Sequence, residues 1–178
     1  MYQGDDQIML FNIVLHEPEI PENTGNIGRT CAATGSALHL IDPLGFHLNE
    51  KSIKRAGMDY WENLDVQRYI NYEDFLCKLK EKNPTARLWM ATTKAERAYS
   101  EVRFNDGDYI MFGKESAGIP EEILVDNRES CIRIPMGHDI RSLNLANSVA
   151  IILYEALRQN GFAELEEEGN LHRLKWKD

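Results

Sequence analysis

The chain has 178 residues, 43% hydrophobic and 28% charged, with a formal net charge of −9 from 20 basic and 29 acidic side chains. Those proportions suit a globular protein of about one domain and exclude a wholly disordered chain. The acidic balance argues against a non-specific nucleic-acid coat but leaves room for a local basic face.

A chain of this size buries roughly 70% of the surface it exposes when unfolded, enough for one core without staples. Cys31, Cys77 and Cys131 stand 46 and 54 residues apart. That spacing matches neither a zinc site nor a disulfide framework and predicts a reduced, cytoplasmic protein. No apolar run approaches the ~18 residues of a membrane span. The opening MYQGDDQIML carries two aspartates and no basic segment, so no secretory leader is expected.

In chain order, Ile8 to Leu15 reads as a strand. A loop with two prolines, His16 to Asn23, leads to a helix from about Thr24 to Thr34, stopped by Gly35. Ala37 to Ile41 is a second strand. Asn49 to Ala56 suggests a short helix closed by Gly57, and it includes the basic cluster Lys51, Lys54 and Arg55. Val66 to Ile70 is a brief strand. Asn71 starts a helix to Lys82, with Asp74 as its capping-box partner. Arg87 to Thr92 and Asp108 to Phe112 are strands. Pro120 opens a helix to about Val125, and Cys131 to Ile134 is the last strand. The final helix carries Leu145, Val149, Ile152, Leu153, Ala156 and Leu157 at helical spacing and closes at Gly161. A polar tail, 162–178, includes Glu164, Glu166, Glu167 and Glu168. The alternation of strand and helix predicts an α/β fold, a mostly parallel sheet with helices on both faces, in a single domain.

Ligands of such sheets lie beyond the carboxyl ends of the strands, and three loops there are unusual. Pro21 to Arg29, PENTGNIGR, follows strand one. Its glycines permit close backbone approach and its helix N-terminus favours an anion. It lacks the dinucleotide fingerprint, and a plain capped helix start is an equal reading. Phe112 to Pro120, FGKESAGIP, is neither a P-loop nor a nucleophile elbow, yet Lys114 and Glu115 in a glycine-bounded loop suggest a ligand turn. Ile134 to Asn147 offers backbone groups suited to an adenine or ribose. His138 and Asp139 lack the partners that a metal site needs.

Together these segments resemble the three motifs of the SPOUT-superfamily RNA 2'-O-ribose methyltransferases. They are most similar to the short bacterial branch that methylates the wobble nucleotide, C or U, of leucine tRNAs. The resemblance covers about residues 9–161. It implies a SPOUT fold with a deep C-terminal trefoil knot, a homodimer with its active site across the interface, S-adenosylmethionine as cofactor (S-adenosylhomocysteine as product) without metal, and the tRNA anticodon stem-loop as substrate. Carried onto this chain, it assigns Arg29, Glu115, Ser142 and Asn144 to catalysis. It assigns Ala91, Thr92, Thr93, Gly113, Glu115, Ile134, Met136, Ser142, Leu143 and Asn144 to the cofactor loops. Asn23, Asn26 and Tyr154 fall to RNA or the dimer contact. Arg29 is expected one turn into its helix, within reach of an anion at the helix start. Methyl transfer to another tRNA position or to ribosomal RNA, and a catalytically silent RNA-binding dimer, are the alternatives.

Overall fold

The computed structural model describes residues 11–48 and 59–177. Within them six strands form one sheet: β1 (Asn12–His16), β2 (Ala37–Ile41), β3 (Val66–Tyr69), β4 (Leu88–Ala91), β5 (Tyr109–Phe112) and β6 (Cys131–Ile132). The order is β3-β2-β1-β5-β4-β6 and every pairing is parallel. The chain builds outward from β1 to β3, then fills the other side, so the strand order reverses between β1 and β5. β1, β2 and β5 are buried along their whole length, as a sheet covered on both faces requires.

Among the described residues four α-helices supply the cover: α1 (Pro21–Thr34), α2 (Tyr72–Lys82), α3 (Glu121–Val125) and α4 (Leu145–Gln159). On one face Ile27 and Cys31 of α1 and Val149, Ile152, Leu153, Ala156 and Leu157 of α4 pack with Phe11, Ile13 and Leu15. On the other, Phe75 and Leu79 of α2 and Leu124 of α3 pack with Val14 and Met111. The split follows from strand alternation, which sends successive side chains to opposite faces. Buried Asp108 joins the starts of β4 and β5, accepting from Arg87 N–H (3.1 Å), Trp89 Nε1 (3.0 Å) and Asn105 N–H (3.0 Å).

Several boundaries differ from the sequence reading. The expected first strand begins outside the described residues, as do the expected helix 49–56 and its basic cluster. α1 starts at Pro21 rather than Thr24, because proline's fixed φ suits the first helical position. β6 is two residues long, and Arg133 pairs instead with the segment before the 3-10 turn Tyr99–Glu101. α2 starts as expected, with Asn71 Oδ1 accepting from Asp74 N–H (2.8 Å), but Asp74 returns its bond to Ile70 N–H (3.2 Å). No helix among the described residues is long and apolar enough to cross a membrane.

A buried polar chain crosses the α2 face. His39 Nε2 lies 3.0 Å from Asn12 Oδ1 and its Nδ1 2.8 Å from the Tyr69 hydroxyl. Burial pushes the His39 imidazole down to about 4, so the ring is neutral near pH 7. Asn12 Nδ2 donates onward to Gly107 O (3.1 Å).

Candidate functional site

Beyond the carboxyl ends of β4, β5 and β6 the chain encloses a cavity of about 550 Å³, within the range of small-molecule sites. Its walls are Ala91, Thr92, Thr93 and Lys94 after β4, residues 112–118 after β5, and Ile134 and Met136 after β6. Arg141, Ser142, Leu143, Asn144 and the first two turns of α4 close one side, and Ile20 and Asn23 of the α1 start close another. Every residue that the resemblance assigned to the cofactor loops therefore lines one cavity, and Asn23 joins them. Arg29, Asn26 and Tyr154 do not line it.

A hydrogen-bonded clasp shapes this cavity. The Glu115 carboxylate accepts from Glu19 N–H (2.8 Å), Ile20 N–H (3.3 Å) and Asn23 Nδ2 (2.9 Å). Ile20, the residue before α1, has no capping side chain, so Glu115 supplies the acceptor and the negative charge that a helix start favours. Asn23 Oδ1 in turn accepts from Asn144 Nδ2 (3.0 Å), and Asn144 Oδ1 caps α4 by accepting from Asn147 N–H (3.2 Å). One network thus ties all three loops together. The second half of the clasp runs the other way: Glu19 accepts from Ser116 N–H (3.0 Å) and Oγ (2.9 Å). Those bonds hold the Glu19 carboxyl below its usual range. Lys114 pairs with Glu17 at 2.9 Å, which raises the lysine above its ordinary value.

Three expectations change. The anion at the start of α1 is the chain's own Glu115, so that position is filled from within. Arg29 is the ninth residue of α1, about 12 Å along the axis from its start, not one turn in; its guanidinium lies 5.0 Å from the Tyr60 ring centroid. The close approach that the α1 glycines permit is also internal. A Cβ on Gly28 would come 2.7 Å from the Trp61 ring, and the Tyr60 hydroxyl donates to Gly25 O at 2.6 Å. Gly113 is similar: a side chain there would strike the backbone of Gly118 and Ile119, so the loop's own fold, rather than a ligand's space, requires glycine.

Sequence reasoning missed Lys94, Arg141 and Ile20 in the cavity wall and the partners Glu17, Glu19 and Ser116 of the clasp. Two acids beside the end of a buried strand, His16-Glu17-Pro18-Glu19, facing a Lys-Glu-Ser loop, were the available signal. Among the described residues no three His, Cys, Asp or Glu side chains converge as a metal-ligand group.

Residues 10–154 match the SpoU rRNA methylase family. An Escherichia coli K12 protein named tRNA (cytidine(34)-2'-O)-methyltransferase is 51% identical over 154 residues, spanning 86% of this chain and 96% of its own. A structure solved in work on the 2-OH methylation of C/U34 on tRNA superposes with a TM-score of 0.78 at 45% identity, over 85% of this chain and 96% of its own. An AdoMet-bound rRNA methyltransferase from Sinorhizobium meliloti superposes with a TM-score of 0.73 at 26% identity, over 85% of this chain and 57% of the longer one.

Proposed function

The chain belongs to the SpoU rRNA methylase family, and on that premise we propose that it transfers a methyl group from S-adenosylmethionine to the ribose 2'-hydroxyl of nucleotide 34, C or U, of tRNA, with leucine tRNAs as the substrates. The observation that carries this reading is the convergence of three motif loops on one cavity at the carboxyl edge of the sheet. The similarity to the Escherichia coli enzyme supports the substrate class, and the AdoMet-bound relative supports the cofactor.

The cavity suits that cofactor. Ile134, Met136, Leu143, Leu145 and Ile152 offer apolar walls for an adenine, while Thr92, Thr93 and Ser142 bring hydroxyls. When bound, the cofactor supplies an electrophilic methyl group, so the protein's task is to position the ribose and ease loss of its proton. Ala91, Thr92, Gly113, Ile134, Met136, Ser142 and Leu143 hold the cofactor. Ser142, exposed at the rim, is placed to meet the substrate. Glu115 and Asn144, which the resemblance assigned to catalysis, are positioning residues, since their hydrogen bonds cap α1 and α4.

Arg29 is the catalytic residue. A guanidinium is a poor base, so it orients the ribose-phosphate and stabilises charge developing on the 2'-oxygen. It lies outside its own chain's cavity, so in this reading a partner subunit delivers it and the working unit is a homodimer. Ile151 and Tyr154, 37% and 46% exposed on one stripe of α4, suit that interface, with Asn23 and Asn26 near the RNA path. The whole of residues 1–178 is one catalytic domain, acting in the cytoplasm where its tRNA is found. We also read residues 133–145 as threaded through the 92–108 segment in a trefoil knot. Arg133 N–H donates to Arg97 O and Tyr99 N–H to Arg133 O, both 2.9 Å, while Gln159 and Asn160 bond Val102 and Phe104 beyond.

The test is methyl transfer from labelled S-adenosylmethionine to bulk tRNA from a strain lacking the modification, followed by mapping of the nucleotide. Label at the 2'-oxygen of nucleotide 34 is the expected result. The family's rRNA description favours a second reading, which label on ribosomal RNA alone would establish. Binding of tRNA without transfer would identify a silent RNA-binding dimer.

A further inference from the structure

After α4 the chain stays on the core only briefly. Phe162 and Leu165 pack against the α1–α4 side of the sheet, and every described residue from 166 onward is exposed. Charge is sharply sorted along this stretch: four of residues 164–168 are glutamate, whereas residues 171–177, LHRLKWK, hold three permanent cations and no acid. Arg173, Lys175 and Lys177 alternate with Leu174 and Trp176, which are 76% and 75% exposed. On an extended chain that alternation puts the cations on one side and the apolar groups on the other. None of the three cations makes an ion pair, with the glutamate run or elsewhere among the described residues.

Leaving a large indole and three unpaired cations in water suits a polyanion with open π-faces better than a second acidic or apolar protein surface. We propose that residues 171–177 are an RNA-binding tail: Arg173, Lys175 and Lys177 engage phosphates, and Trp176 stacks on an unpaired base of the substrate. Stacking of this kind tolerates any base, and a guanidinium fork matches a phosphate. The inference rests on the proposed methyltransferase function and explains how a chain with a net charge of −12 outside this tail finds RNA. The reach is sufficient. α4 leads away from the cavity for about 22 Å at 1.5 Å per residue. The 8–12 residues from Leu165 to the cations span up to roughly 26–43 Å. The tail can therefore return to the cavity edge of its own subunit or of a second copy.

The experiment uses the full chain, with Trp176→Ala and the triple variant Arg173→Gln, Lys175→Gln, Lys177→Gln, and an anticodon stem-loop RNA as probe. RNA affinity is read by fluorescence anisotropy across a salt series, S-adenosylmethionine affinity by calorimetry, and assembly by sedimentation. Trp176→Ala should weaken RNA binding about tenfold, with Trp176→Phe recovering most of it. The triple variant should lower the slope of log affinity against log salt by about 2–3, some 0.7–0.9 per phosphate contact. Cofactor affinity and assembly should not move. Unchanged RNA affinity and slope in both variants, with wild type active, overturns the tail alone, as does a change in assembly with no change in slope. A wild-type chain that neither binds nor methylates tRNA overturns the functional reading and the tail together.

Discussion

Two polar networks in this molecule are built from similar groups and serve opposite ends. Under α2, His39, Asn12 and Tyr69 are buried and joined by hydrogen bonds through the His39 ring, and none of them lines the cavity at the carboxyl edge. At the carboxyl edge of the sheet, Glu115, Asn23 and Asn144 also bond one another, but all three line a cavity of about 550 Å³. A buried, perturbed histidine is often taken as a sign of a site. Here it marks a structural cluster, while the site is drawn by Glu115, a carboxylate that accepts from Glu19, Ile20 and Asn23 on a neighbouring loop. What separates the two is access, not polarity.

The most severe way to break the open network is Gly113→Val. The new side chain meets the backbone of Gly118 and Ile119, and overpacking of this kind costs about 3 kcal/mol or more. The midpoint of thermal unfolding should fall by roughly 6–12 °C, and S-adenosylmethionine binding should vanish with the loop. A variant with wild-type Tm and lost binding by calorimetry would instead show that a side chain at Gly113 fills space the ligand needs.

Acid tests the closed network. Burial lowers the His39 pKa from 6.5 to about 4, so between those values the unfolded chain takes up a proton that the folded chain refuses. Stability is therefore full above pH 6.5 and declines as pH falls through the window, by on the order of 3 kcal/mol at its lower end. Urea titrations of wild type and His39→Gln between pH 7 and pH 4 check this. The variant should show a shallower loss, and parallel slopes would remove His39 from the account.

Arg29→Ala asks whether the open edge does chemistry with a group from outside its own cavity. Single-turnover methylation of an anticodon stem-loop should slow by on the order of 10²-fold, with cofactor affinity unchanged, and Arg29→Lys should leave a clear deficit because an ammonium lacks the planar fork. Wild-type turnover in Arg29→Ala would end the catalytic assignment.

The smallest effect sharpens the comparison. Glu115→Gln keeps the size of the side chain but gives up the charge facing the α1 start. A capping loss of about 1 kcal/mol is expected, a Tm decrease of about 2–4 °C. If turnover falls 10²-fold while stability holds, Glu115 touches the reaction rather than the scaffold.

The parts of this architecture legible in the sequence were those encoded locally. Apolar periodicity marked α4, and the motif loops were contiguous stretches, so the residues assigned to the cofactor all line the cavity, although Arg141 inside the third loop was missed. The start of α1 was not legible, because its cap is Glu115, 92–96 residues away from the groups it accepts from. The same misplaced start made Arg29 look closer to the helix start than it is, and the internal role of Gly113 was hidden because only the folded loop brings Gly118 and Ile119 onto it. The His39 cluster left no sequence signal, since its partners Asn12 and Tyr69 are 27 and 30 residues away on different strands.

The bond from Asn144 to Asn23 joins residues 121 positions apart, and it has a consequence for synthesis. The first wall of the cavity leaves the ribosome long before the last. At roughly 5–20 residues per second, Asn23 waits on the order of ten seconds for the residue that completes its network, and the α4 wall follows later still. A nascent or truncated chain that stops before Asn144 therefore carries the strands of its sheet and the earlier walls of the pocket but lacks the wall that closes it, and the complete site exists only in a chain whose translation has passed α4.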